Sequence, residues 1–126
     1  MYPEKSDFIR KTIRGFYFAG KGLRYFMNTT SNALLHCMAA LIACGLGWYL
    51  GISRMEWLAV ILAISGVLVT EIINTAIELL VDLVSPEFNE KAGKVKDVAA
   101  GAVLIASISA ACIGALIFIP RLVLLI

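Results

Sequence analysis

Long apolar runs separated by short polar segments make up most of this chain. Apolar residues dominate residues 33–50, 55–84 and 98–119, and each run reaches the length of about 18 residues that indicates a membrane helix. The segments between them, residues 51–54 and 85–97, are polar or charged. The pattern predicts an all-α membrane protein, with three transmembrane helices at these positions in a single integral-membrane domain of residues 1–126.

The first 30 residues follow a different pattern, in which aromatic and aliphatic residues alternate with basic ones. Lys and Arg can extend to headgroups or phosphates while the apolar face rests on the membrane. We therefore expect residues 1–30 to form an amphipathic surface helix, with a break near residues 20–22 because Gly20 and Gly22 weaken a helix. A simple membrane anchor and a nucleotide-facing role are both open.

Composition and charge place the chain in the membrane class. Hydrophobic residues make up 60% and charged residues 16% of the chain, against about 45–50% and 25% in soluble domains. Six of the 11 Lys and Arg residues lie before residue 30 and three lie in residues 85–97. The positive-inside rule then puts the N-terminus and the 85–97 loop in the cytoplasm. The net charge of +2 is small, and we expect no nucleic-acid partner.

The second apolar run carries polar side chains at Glu71, Asn74, Glu78 and Asp82. On a helix that turns about 100° per residue, Glu78 and Asp82 return to within about 20° of Glu71, and Asn74 lies about 60° away. A carboxylate inside a membrane costs at least about 2.5 kcal/mol. This polar stripe, defined by these four residues, is therefore a candidate functional site.

Several functions fit a polar stripe next to a lysine-rich loop and a basic helix. Carboxylate and amide oxygens suit Mg²⁺, and basic groups suit phosphates. Phosphoryl transfer needs both, together with a group that deprotonates the attacking hydroxyl. An intramembrane Glu is also typical of proton-coupled or cation-coupled transporters, and polar side chains can hold an oligomer together. Residue chemistry alone leaves all three open.

The residue motifs in the polar stripe and in the segment that follows it narrow the choice among these three functions. Glu71, Asn74, Glu78 and Asp82 form the pattern E-x-x-N-x-x-x-E-x-x-x-D, and residues 96–104 read KDVAAGAVL. With Lys21-Gly22-Leu23-Arg24, these motifs resemble the prokaryotic diacylglycerol kinase family, and more closely its undecaprenol-kinase branch. The resemblance implies a lipid kinase that uses ATP and Mg²⁺ to phosphorylate undecaprenol or diacylglycerol at the cytoplasmic face of the bacterial inner membrane.

The resemblance also implies residue roles. Glu71 would be the catalytic base, Asn74 would hold the site geometry, and Glu78 would bind the metal. Lys96 and Asp97 would contact the nucleotide, with Lys96 near the phosphates. The remaining nucleotide contacts would come from the 85–97 loop and from the N-terminal helix, at Glu87, Phe88, Asn89, Lys11 and Phe18.

The resemblance also implies an oligomeric state, and the sequence departs from the family pattern at one position. The family is homotrimeric, which agrees with small residues on two faces of the third span, at Ala102, Ala106, Ala110, Gly114 and at Ser107, Ala111, Ala115. Where the family usually has a further metal-binding Glu, gap-free matching puts Thr30. Thr30 or Asn32 would then bind the metal weakly or through water, or the chain is a catalytically weakened member of the family.

Overall fold

The structure is a computed structural model that describes the backbone of residues 5–125 and the side chains of residues 8–30 and 32–125. Its described elements are four helices: α1 (Lys5–Thr29), α2 (Ser31–Tyr49), α3 (Arg54–Val84) and α4 (Glu90–Val123). Three of them, α2, α3 and α4, are long and apolar enough to cross a membrane. The predicted all-α class is confirmed, as is the presence of three helices long and apolar enough to span a membrane.

The chain divides into two compact units, one that ends at Thr30 and one that begins at Ser31. In the first unit, α1 runs without interruption through Gly20 and Gly22, so the predicted break is wrong. Glycine lowers helix propensity by about 1 kcal/mol but, unlike proline, removes no backbone hydrogen bond. The placement of α1 at a membrane surface stays a prediction.

In the second unit, α3 and α4 pack against each other along their length and α2 packs mainly on α3. An ion pair joins Asp82 to Lys96, and another joins Glu56 to Arg121. Because the first residue of each pair is on α3 and the second on α4, the two helices are antiparallel. We call the end that holds residues 50–53 the turn end, and the end that holds residues 85–89 the loop end.

The buried apolar core lies near the turn end. Ile52, Val60, Ile117 and Phe118 form its centre, and Leu46, Trp57 and Ile113 pack around them. The turn itself depends on Gly51, whose φ of 60° falls in the left-handed region that favours glycine. Ser53 then starts α3 with a capping box, in which its hydroxyl accepts from Glu56 N and Glu56 Oε2 accepts from Ser53 N.

Helix α4 is longer at both ends than the predicted span of residues 98–119. It begins at Glu90 because the Asn89 side chain accepts hydrogen bonds from the N–H groups of Lys91 (2.9 Å) and Ala92 (3.2 Å), as an N-cap residue does. It also continues past Pro120 to Val123, four residues beyond the predicted end of the span at residue 119. Proline removes a single intrahelical donor, and Leu124 N–H still reaches the Pro120 carbonyl (3.3 Å).

Candidate active site on helices α3 and α4

One face of α3 changes from apolar to polar towards the loop end. Val60 and Val67 are buried on it, followed by Glu71 (2% exposed), Asn74 and Thr75. Glu78, one turn further on, is partly buried, and Asp82 is exposed. The predicted polar stripe is therefore turned inwards over its first turns and reaches solvent at Asp82. A buried carboxylate and amide are rare in a protein interior unless they have partners or a function.

Asn74 connects two members of the stripe. Its Nδ2 donates to Glu78 Oε1 over 3.0 Å. Since an ionised carboxylate only accepts hydrogen bonds, the amide nitrogen must face Glu78 and the amide oxygen must face away from it. That oxygen, Asn74 Oδ1, is buried and has no hydrogen-bond donor among the described residues. Such an atom in a native protein points to a missing water, ion or ligand.

Glu71 has a similarly incomplete environment. The hydroxyl of Thr75 donates to the Glu71 backbone carbonyl over 2.9 Å, which satisfies the buried hydroxyl group. The Glu71 carboxylate makes no hydrogen bond or ion pair with any other described side chain. Among the described side chains, the buried residue Glu71 thus has a carboxylate without a partner, and Asn74 Oδ1 is a buried oxygen without a donor.

The residues predicted to bind nucleotide on α4 lie at the loop end, as Asp82 does. Lys96 makes its ion pair with Asp82, which brings its ammonium to the last turns of α3, while Asp97 is exposed. The pairing of Asp82 with Lys96 was absent from the sequence-based expectations. The sequence places both residues near the same loop, but their contact depends on the register of α3 against α4, which the sequence pattern leaves open.

The loop residues have three different environments. The Glu87 backbone carbonyl accepts from Ser85 Oγ over 3.3 Å, and the Phe88 side chain is 99% exposed. The Asn89 side chain caps α4. That cap uses Asn89 Oδ1 alone, so its amide NH₂ still has donors to offer. Contacts of these three residues with a nucleotide stay a prediction.

Three other predicted site residues belong to the unit that contains α1. Lys11 and Phe18 are exposed on this helix, and the ring of Phe18 lies edge-on to Tyr17 with centroids 5.6 Å apart. The Thr30 hydroxyl donates to the Phe26 carbonyl over 2.9 Å and keeps lone pairs that can still accept or ligate. Their roles towards nucleotide and metal stay predictions.

The donor set on α3 is chemically suited to Mg²⁺. The ion is usually bound by one or two carboxylates together with substrate phosphates and water, and Glu78 and Asn74 Oδ1 supply hard oxygen atoms on one stretch of helix. Within the part of the chain that the structure describes, no group of three or more His, Cys, Asp or Glu side chains converges on one point. Phosphates or further residues would therefore have to complete the coordination.

An apolar cavity of about 310 Å³ lies between α2, α3 and α4. Val60, Ile64 and Val67 line it from α3, on the same face as Glu71. His36 and Ser107 are polar residues in a lining made mainly of alanine and branched aliphatic side chains. The polar stripe therefore continues, towards the turn end, into an apolar space.

Comparison with known proteins assigns the chain to a family. The model of the prokaryotic diacylglycerol kinase family matches residues 17–118, which contain α2, α3 and nearly all of α4. The chain belongs to the prokaryotic diacylglycerol kinase family. This confirms the resemblance inferred from the motifs, and with it the lipid-kinase class of the enzyme.

Individual relatives within the family carry two names. The chain is 35% identical over 114 residues to an undecaprenol kinase of Bacillus subtilis, covering 90% of this chain and 93% of that one. It is 31% identical over 100 residues to a diacylglycerol kinase of Escherichia coli, covering 79% and 82% of the two chains. A Helicobacter pylori diacylglycerol kinase is 31% identical over 103 residues, covering 82% and 80%.

Proposed function

We propose that this chain transfers the γ-phosphoryl group of ATP, with Mg²⁺, to the hydroxyl of a membrane lipid alcohol, undecaprenol or diacylglycerol. The observation that carries the proposal is one face of α3, which holds the buried residue Glu71 and the buried amide oxygen of Asn74, both without a partner among the described side chains, together with Glu78. Membership of a lipid-kinase family supports phosphoryl transfer over a proton-coupled or cation-coupled transporter.

In this proposal Glu71 is the general base. A base must reach the proton that it removes and must be free to accept it, and the Glu71 carboxylate is bound to no other described side chain. Its helix face continues into the apolar cavity, which agrees with an acceptor hydroxyl attached to an apolar chain. The hydroxyl oxygen attacks the γ-phosphorus, its proton passes to Glu71, and the bond from phosphorus to the β–γ bridging oxygen breaks.

Glu78, Asn74 and Lys96 would serve the negatively charged phosphates of the nucleotide, Glu78 and Asn74 through a bound Mg²⁺ and Lys96 directly. Glu78 would ligate Mg²⁺ through the oxygen that Asn74 does not occupy, while Asn74 holds the orientation of that carboxylate. Bound Mg²⁺ would neutralise the phosphates during transfer. Lys96 and Asp97, with Glu87, Phe88 and Asn89 of the loop and Lys11, Phe18 and Thr30 of the first unit, would bind the nucleotide and complete the metal site.

We further propose that the site works at the cytoplasmic face of the bacterial inner membrane, in a homotrimer. The distribution of Lys and Arg supports that orientation. The small residues on two faces of α4, at Ala102, Ala106, Ala110, Gly114 and at Ser107, Ala111, Ala115, support an assembly, because small residues let helices approach closely in a membrane.

One experiment tests the proposed function. Purified protein in micelles is incubated with radiolabelled ATP, Mg²⁺ and an equimolar mixture of undecaprenol and diacylglycerol, and the labelled lipids are separated. We expect labelled lipid phosphate, and a loss of at least about 100-fold in its rate of formation for Glu71→Gln, since general base catalysis contributes about 10²–10⁴.

The matched control is Glu90→Gln. It removes a carboxylate from the exposed Glu90–Lys94 pair at the loop end, outside the polar stripe, and is expected to keep its turnover. Lipid phosphate formed equally by Glu71→Gln contradicts the proposal. ATP binding without any lipid phosphate in the unmodified protein indicates a catalytically inactive member of the family.

A further inference from the structure

Asp82 is the member of the polar stripe to which the proposed function gives no role. Its side chain is 65% exposed, and it makes an ion pair with Lys96, whose side chain is 37% exposed. Exposed ion pairs contribute little to stability, so a gain in stability explains this contact poorly.

The geometry of this ion pair suggests another purpose. Asp82 lies one turn beyond Glu78 on α3, whereas Lys96 lies on α4, 14 residues later in the chain. A lysine side chain has a flexible four-carbon stem, and its charge takes many positions unless a partner restricts it. Asp82 restricts the Lys96 ammonium to the end of the stripe. The neighbouring Lys94, by contrast, pairs with Glu90 within α4 itself.

We propose that Asp82 is a positioning residue, which holds the Lys96 ammonium at the end of the α3 polar stripe, where the phosphates of the nucleotide bind. The inference rests on the proposed function, in which Lys96 contacts those phosphates. An ammonium group has three N–H donors, so Lys96 can keep its bond to Asp82 while it donates to a phosphate oxygen. Asp82 acts only through Lys96.

The carboxylate of Asp82 also repels phosphate, and this repulsion opposes the benefit of positioning Lys96. Its removal would strengthen nucleotide binding if repulsion dominated and would slow transfer if positioning dominated. The direct contact with Lys96 neutralises most of the Asp82 charge locally, and Coulombic effects on exposed groups are weak in water. We therefore expect the loss of positioning to exceed the relief of repulsion, and to affect kcat more than the KM for MgATP.

The test is a double-mutant cycle that combines Asp82→Ala with Lys96→Met. We expect Asp82→Ala alone to lower kcat about tenfold, the size of a charge-assisted hydrogen bond lost at the transferring group. In the Lys96→Met background, the same substitution should change kcat less than twofold. Asp82→Glu, which keeps the carboxylate, should recover part of the loss. Glu90→Ala, which removes the partner of Lys94, should leave kcat within twofold.

Sensitive rate measurements and folding controls make the cycle decisive. If Lys96→Met turns over too slowly to follow continuously, kcat of all four proteins is measured from the labelled lipid phosphate that accumulates in long incubations. Far-UV circular dichroism and elution volume must match the unmodified protein, as we expect for an exposed pair. A variant that fails this check is replaced by the more conservative substitution at the same position, Asp82→Asn or Lys96→Gln.

Each result has one meaning. An equal loss from Asp82→Ala in both backgrounds shows that Asp82 acts without Lys96 and overturns the inference, as does an unaltered Asp82→Ala enzyme. If Lys96→Met itself keeps full turnover, the phosphate role of Lys96 fails and the inference fails with it. Loss in Lys96→Met with none in Asp82→Ala overturns the positioning role alone and leaves the proposed function standing.

Discussion

Asn74 shows how one residue connects function to stability in this protein. Its amide nitrogen is committed to Glu78, so its buried Oδ1 lacks a donor among the described residues. A buried unsatisfied polar group costs about 1–3 kcal/mol. A chain selected for stability alone would place an apolar residue here, and the amide is therefore best explained by a role in the site.

The substitution Asn74→Leu tests this explanation. Leucine has a similar volume and removes the unsatisfied oxygen, while Glu78 is partly exposed and can be hydrated. We expect an apparent unfolding midpoint equal to or higher than that of the unmodified protein, together with a loss of lipid phosphorylation of about 10–100-fold, as for other residues that orient a metal ligand. Thermal unfolding in micelles, followed by circular dichroism, and the turnover assay measure the two effects. A lowered midpoint would indicate that Asn74 is structural.

Thr30 is the second single residue that carries a prediction, because its side chain would affect the binding of Mg²⁺. A neutral hydroxyl is a poorer ligand for Mg²⁺ than a carboxylate, and its hydrogen is already donated to the Phe26 carbonyl. We expect Thr30→Glu to lower the Mg²⁺ concentration that gives half-maximal turnover. Thr30→Gln, which has the same length without the charge, is the matched control. An unchanged or higher Mg²⁺ requirement for Thr30→Glu would count against a place for residue 30 at the metal.

At the scale of the elements, the helices were easier to predict than their contacts. The runs of apolar residues are long enough to identify α2, α3 and α4, since a membrane span imposes a minimum length. The early start of α4 depends on one side chain, Asn89, whose cap satisfies two N–H groups. Its continuation past Pro120 depends on neighbouring backbone bonds. Local signals of this kind are ambiguous in sequence because the same residues also occur in loops.

The approach of α2 to the start of α3 requires Gly47. A Cβ atom at this position would lie 3.0 Å from both Ile52 Cδ1 and Trp57 Cη2, closer than side chains normally pack. We expect Gly47→Val to destabilise the protein by about 1–3 kcal/mol, the usual cost of overpacking. Gly45 lies on the same helix with nothing within 4 Å of its Cβ position. Gly45→Val should therefore leave the unfolding midpoint unchanged or slightly raised. Equal effects of the two substitutions would contradict this contact.

At the scale of the whole molecule, the α2–α4 unit is closely packed at the turn end and open towards the loop end. The buried apolar core lies near the turn, whereas the buried polar groups lie further along α3. The cavity extends between them, from the core residues Val60 and Phe118 to Val67. The Glu56–Arg121 pair closes the turn end: Arg121 Nη1 and Nη2 donate to the two carboxylate oxygens of Glu56 over 2.5 and 2.7 Å. Such bidentate geometry is specific as well as strong.

Because the Glu56–Arg121 pair lies at the turn end and the polar stripe lies towards the loop end, we expect substitutions in this pair to change stability but not the rate of phosphoryl transfer. Glu56→Gln should lower the unfolding midpoint because the charge of the partly exposed Arg121 then lacks its partner. The exchange Glu56→Arg with Arg121→Glu should restore part of it. The kcat of the folded fraction should stay within about twofold in each variant, since Glu56 and Arg121 bind each other at the turn end and neither belongs to the polar stripe. A large fall in kcat with an unchanged midpoint would show that the turn end communicates with the site.

The all-α class, the three helices able to span a membrane, the polar stripe on α3 and the family could all be predicted from the sequence, because helix period, span length and motif spacing are local properties. Packing in three dimensions settles which acceptors among the described residues have no donor, and that Asp82 meets Lys96 and Glu56 meets Arg121. Those features depend on the register of α3 against α4, which is fixed by the packing of the two helices as a whole. No residue carries that register alone, and no short stretch of sequence can reveal it.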